Sequence, residues 1–203
     1  MSTFEFGHVL TIAGAQATII ISFFLLLSGS LSWKQVSSVM NMRGIKGYFS
    51  FYQASPFDVT ELRVNLTNLQ KKVGPFHVHH FPLLSVMAPP SNLCSNDNVG
   101  GHWNPLEVNT SAPTYPTAPG STHDRYEIGD LSGKHMSLEN QSQVDAVFQD
   151  FNLPLFGQNS IVGRSVVIHE VDGPLGSYGE DDWAAEDCDL KLNDRQQLKL
   201  VRT

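Results

Sequence analysis

At 203 residues and a net charge of −7, the chain has length for one buried core plus an extra segment, and it offers no basic patch for nucleic acid. Its composition is that of an ordinary globular protein, which excludes collagen-like and disordered classes. No internal repeat is visible, so one module is expected.

The front end stands apart. From Phe6 to Trp33 there is no Asp, Glu, Lys or Arg, and Ala17 to Leu27 is almost wholly apolar. Residues 1–32 therefore read as a signal peptide or a membrane anchor, with the span at 9–31 and the small residues Ser28-Gly29-Ser30 available to a peptidase. Residues before the span lack Lys and Arg, and Lys34, Arg43 and Lys46 follow it, so the two fates stay open. The remainder, 33–203, reads as the folded domain.

Ile45 to Tyr52 and Leu62 to Leu69 alternate with period two and predict strands, separated by the turn residues Ala54 to Asp58. Val73-Gly74-Pro75 reads as a turn leading into a strand with His77 and His79. Met87 to Gly101 and Val108 to Thr122 are loops by composition. Tyr126 to Ser132, Gln143 to Phe151 and Ile161 to His169 supply further strands, with a turn at Gly157-Gln158-Asn159. No long amphipathic helix follows the front end. Short strands punctuated by turns predict an all-β, antiparallel Greek-key sandwich or barrel.

The stretch with most chemistry is Phe76-His77-Val78-His79-His80. In a strand, alternate side chains share a face, so His77 and His79 point together while Phe76 and Val78 pack inward. Two imidazoles one pleat apart can close on one metal ion, and His80 is excluded by the same parity. Three later blocks complete a pattern: Gly100-Gly101-His102-Trp103-Asn104-Pro105, Tyr126-Glu127-Ile128-Gly129-Asp130-Leu131-Ser132-Gly133-Lys134-His135, and Gly163-Arg164-Ser165-Val166-Val167-Ile168-His169-Glu170.

In this order the four blocks resemble the copper/zinc superoxide dismutase superfamily over roughly Val36 to Leu192, and the Gly-Asp-Leu-Ser-Gly-Lys-His block is most similar to its copper-only branch. The resemblance implies a sandwich of superoxide dismutase type and four copper ligands, His77, His79, His102 and His169. Imidazole nitrogens suit copper in both oxidation states. It also implies that Glu127 and Asp130 hold His102 by hydrogen bonds where the zinc-containing branch has its second metal. Glu127 stands where a zinc ligand would, and the intervening loop offers only His123, so one copper and no zinc are expected. The bland alternative leaves Glu127 solvated and Asp130 in a turn. Lys134 and His135 read as solvated turn residues, and Arg164 as a structural residue bonding loop carbonyls.

Cys94 and Cys188 are the two cysteines. They read as free thiols in a reducing compartment and as a bridge in an oxidising one, and the resemblance implies the bridge. Sequons at Asn65, Asn109 and Asn140 fit secretion, so an extracellular or anchored extracellular location is expected. One departure bears on rate. Active members carry an arginine three residues before the final cysteine, where this chain has Ala185, and Glu170 to Asp187 holds seven acidic side chains and no Lys or Arg. An acidic approach slows encounter with an anion. The readings in competition are therefore a dismutase acting on superoxide, a copper-binding module with little turnover, and a purely structural sandwich.

Overall fold

The computed structural model describes residues 33–42, 44–69, 73–83, 94–170 and 188–191, all within a unit that spans Trp33–Thr203. The expected leader at 1–32, the acidic stretch 171–187 with Ala185, and the segment after 191 lie outside the described residues. Among the described residues no helix is long and apolar enough to cross a membrane.

The described residues form seven strands: β1 (Lys34–Met42), β2 (Ile45–Gln53), β3 (Thr60–Thr67), β4 (Val73–His79), β5 (Gln143–Asp150), β6 (Ser165–Glu170) and β7 (Cys188–Lys191). They form two antiparallel sheets, of order β1-β2-β3-β5 and β4-β6-β7. Because β3 pairs with β5 while β4 crosses to the second sheet, the connections are of Greek-key type, as expected from the strand pattern. The inner faces meet in one core. Phe49, Phe51, Leu62, Val64 and Leu66 of the first sheet pack with Val73, Phe76, Val78, Val166 and Ile168 of the second. Phe49 and Phe76 touch across the sandwich with ring centres 5.4 Å apart.

The strict alternation of β3 explains its placement: Leu62, Val64 and Leu66 are buried, while Glu61, Arg63 and Thr67 face solvent. Strand β1 was not legible because its inward positions are Val36, Ser38 and Met40 while Val39 is exposed, so apolarity does not follow parity. Three expected elements differ. Val73-Gly74-Pro75 begins β4, with a register irregularity between Val73 and Phe76 that accommodates the proline. The last expected strand starts at Ser165, since Ile161 to Arg164 forms a turn. Tyr126 to Ser132 is irregular backbone entering the one-turn helix Leu131–Lys134, because the Asp130 side chain caps that helix by accepting from Gly133 N–H at 2.7 Å.

Candidate metal centre

Strand β4 presents His77 and His79 on one face, as parity requires, and Phe76 and Val78 to the core. His169 reaches them from β6, the hydrogen-bonded neighbour of β4. His102 comes from the loop, where an isolated bridge pairs it with His79. The four histidines bring one nitrogen each within 4.8 Å of one another. His80 faces away, is exposed, and stacks edge-on against Phe81 and Trp103.

A cycle of three backbone hydrogen bonds fixes this arrangement. Val78 N–H donates to Gly129 O at 2.9 Å, Gly129 N–H to Trp103 O at 2.8 Å, and Trp103 N–H to Val78 O at 2.7 Å. Three chain segments thus meet at Gly129: the strand of His77 and His79, the loop of His102, and the segment of Glu127 and Asp130. Only glycine fits, because a Cβ there would sit 2.4 Å from Val78 O.

The protein also selects which nitrogen His79 and His102 offer. His79 Nδ1–H donates to Gly100 O at 2.7 Å, which leaves the Nε2 lone pair pointing inward. His102 Nδ1–H donates to Glu127 Oε2 at 2.8 Å, with the same consequence. Asp130, expected to hold His102, lies instead with its Oδ1 3.5 Å from His77 Nε2, and His77 Nδ1 is buried with no hydrogen-bond partner. His79 Nε2 faces His169 Nε2 at 3.3 Å. Burial, then the neighbouring imidazoles, lowers the pKa of His77 and His79 well below the usual value. Burial followed by His102 brings His169 down to about 3. At neutral pH these three rings are uncharged. A buried, orphaned His77 Nδ1 within a set of four imidazole nitrogens that lie within 4.8 Å of one another is what a shared cation resolves, so the residues fit a metal ion.

The supporting shell has a member that the sequence reading missed. Tyr115, in the loop Val108 to Thr122, is buried; its hydroxyl donates to Asp130 Oδ2 at 2.7 Å and accepts from Glu127 N–H at 3.3 Å. Burial, then the charge of Asp130, raises its pKa far above the phenol range, so it stays a neutral donor. No spacing rule points to Tyr115; loop position and aromatic character were its only signals.

Residues 45–188 match the family model for copper/zinc superoxide dismutase. The chain belongs to that family. It is 32% identical to the Cu-Zn superoxide dismutase of Yarrowia lipolytica, over 72% of this chain and 86% of that protein. It is 30% identical to Cu-Zn superoxide dismutase 2 of Mesembryanthemum crystallinum, over 73% of this chain and 83% of that one. The extracellular Cu-Zn superoxide dismutase of Drosophila melanogaster is 28% identical, over 65% of this chain and 63% of that protein. A solved structure of a mutant of Candida albicans superoxide dismutase 5 shares the fold, with a TM-score of 0.54 and 21% identity, over 83% of this chain and 98% of that one.

Within this family member Lys134 and His135 are not solvated, contrary to the sequence expectation. The Lys134 side chain is fully buried, with Nζ 2.7 Å from Asp150 Oδ2 and donating to Ile128 O at 2.9 Å. His135 Nε2 and His123 Nδ1 lie 2.9 and 3.2 Å from the same carboxylate. Burial lowers the pKa of Lys134, with Asp150 pulling it back. For Asp150 burial acts upward, but Lys134 and the hydrogen bonds from His123, His135 and Lys134 outweigh it and hold the carboxyl far below its usual range. His123 is thereby accounted for as a structural partner of Asp150. Arg164 bonds loop carbonyls as expected, donating to His80 O at 2.6 Å and Ser160 O at 3.0 Å, and its guanidinium lies over the Trp103 ring. Cys94 is buried among Leu83, Val99 and Val167, and no disulfide is formed among the described residues. The backbone of Cys188 is opposite Val167 in β7, and its side chain lies outside the described residues. Of the sequon asparagines, Asn109 and Asn140 are exposed and Asn65 is half-buried on the outer face of β3.

Proposed function

We propose that this chain is an extracellular copper-only superoxide dismutase, converting superoxide to oxygen and hydrogen peroxide at a single copper held by His77, His79, His102 and His169. The observation that carries the reading is the convergence of four imidazoles, with the outward nitrogens of His79, His102 and His77 facing Gly100 O, Glu127 and Asp130 in turn. Bound copper supplies the one-electron couple that oxidises one superoxide to oxygen and, with two protons, reduces a second to hydrogen peroxide.

The protein's part is positional. Glu127 accepts from the Nδ1–H of His102, the nitrogen that would bridge to zinc in the two-metal branch, and Asp130 faces His77 instead of a second ion. Zinc is therefore not assigned a place. Cys94 packs against Val167 and Cys188 lies opposite Val167 in the ladder, which supports a bridge between the two cysteines. In the chain-entropy view, closing so long a loop contributes about 4–5 kcal/mol. The exposed sequons, the charge-free stretch at 9–31 and the named extracellular relative support passage to the cell exterior, by a cleaved leader or a retained anchor.

The acidic run from Glu170 to Asp187, with Ala185 in place of an arginine, favours a second reading: a copper-binding module with little turnover. The test is expression of residues 33–203 through an oxidising secretory route, copper loading, metal stoichiometry and EPR, then superoxide decay. One Cu(II) with a nitrogen-rich spectrum that is lost in His102→Ala supports the site, and superoxide decay separates dismutase from binder. Folded protein that takes up no stoichiometric copper refutes both.

A further inference from the structure

Tyr115 joins the Asp130 carboxylate to the backbone of Glu127, the two residues that stand beside His77 and His102. Its hydroxyl donates to Asp130 Oδ2 at 2.7 Å, and the other oxygen of that carboxylate accepts from Gly133 N–H at 2.7 Å and faces His77 Nε2 at 3.5 Å. The same hydroxyl accepts from the backbone N–H of Glu127, whose side chain holds His102. The loop is itself braced. Tyr115 N–H donates to Ala112 O at 2.9 Å, and Tyr126 packs edge-on against the Tyr115 ring while its hydroxyl donates to Ala118 O at 2.7 Å.

We propose that Tyr115 is a positioning and tuning residue of the metal centre, which sets how strongly Asp130 draws on the His77 Nε2–H and fixes where Glu127 meets His102. This rests on the copper reading above. The physical basis is competition for one carboxylate. Each donor that Asp130 accepts from spreads its charge and weakens its pull on the others. With the phenol removed, Asp130 draws harder on His77, whose ring becomes a stronger electron donor through Nδ1. A more basic imidazole favours Cu(II) over Cu(I).

The test is Tyr115→Phe, alone and with Asp130→Asn. In the copper-free protein, the His77 Nε2–H resonance in the imidazole proton spectrum should move downfield in Tyr115→Phe. Tyr126→Phe, which loosens the same loop without removing a bond to either carboxylate, should leave that resonance in place. In the copper-loaded protein, the ratio of Cu(II) to Cu(I) affinity should rise roughly three- to tenfold, with altered Cu(II) hyperfine splitting. In the Asp130→Asn background Tyr115→Phe should change neither quantity, because the coupling runs through that carboxylate. A resonance that stays put, or a change that persists in the Asp130→Asn background, overturns the proposal. A shifted resonance in a protein that binds no copper keeps the Tyr115–Asp130–His77 coupling and refutes the copper reading instead.

Discussion

Replacing Lys134 by Met tests whether the buried ion pair, and not the surrounding apolar packing, holds the segment between Glu127 and Asp130. The Lys134 and Asp150 side chains are both fully buried, 2.7 Å apart, and Lys134 also donates to the carbonyl of Ile128, midway between the two supporting carboxylates. Removing one partner of a buried pair leaves the other charge uncompensated and costs about 3–5 kcal/mol. Asp150 keeps donors in His123, His135 and the N–H of Asn152, and methionine fills the volume of the lysine stem, so the lower end applies: about 3 kcal/mol. For a domain of this size that is a fall in Tm of roughly 6–12 °C. Denaturant unfolding of the copper-free protein measures it, with Lys134→Met/Asp150→Asn as the paired control. The double variant should recover at least half of the loss, because no unpaired charge remains. A single-variant loss under about 1 kcal/mol, or a double variant no more stable than the single, refutes the reasoning.

The same pair sets an acid limit. The folded-state pKa of Asp150 lies below its ordinary value of 3.8, so its contribution to stability is full above about pH 4 and is lost as the pH falls toward the folded value. Asp150→Asn should accordingly flatten the decline in stability between about pH 5 and 2; an unchanged slope in acid unfolding would contradict this. Gly129→Ala forces a Cβ against Val78 O, 2.4 Å away, and so pushes β4 and the His102 loop apart. We expect about 1–3 kcal/mol of lost stability together with weaker copper binding, read by calorimetry and chelator competition. Were the fold destabilised with copper affinity intact, the cycle through Val78, Gly129 and Trp103 would not be what aligns the ligands. Glu127→Gln keeps an acceptor for His102 but removes its charge, and copper affinity in the same competition should fall about tenfold. Equal affinities would leave Glu127 without an electrostatic role.

Much of this arrangement was legible because it depends on local periodicity. The parity of Phe76 to His79 settles which residues enter the core and which two histidines share a face, and the alternation of β3 does the same for Leu62, Val64 and Leu66. Strand β1 escaped because Ser38 is buried and Val39 exposed, a pattern that only pairing with β2 stabilises. The segment from Tyr126 to Ser132 was misread as a strand. Its apolar residues Ile128 and Leu131 are buried in the main core, and Asp130 caps a helical turn there instead of continuing a ladder.

The chain by itself pointed to the four histidines that the fold gathers, to Glu127 beside His102 and to the antiparallel sandwich, through spacing and an ordered set of motifs, whereas Asp130 stands beside His77 and not beside His102. Only the tertiary structure decided which nitrogen His79 and His102 present, that Lys134 is a buried cation opposite Asp150, and that Tyr115 ties the Asp130 carboxylate to the backbone N–H of Glu127. The reason is physical. Parity acts between neighbours along one strand, whereas tautomer, burial and hydrogen-bond partner are set by groups that approach from distant segments, and no local pattern encodes that approach.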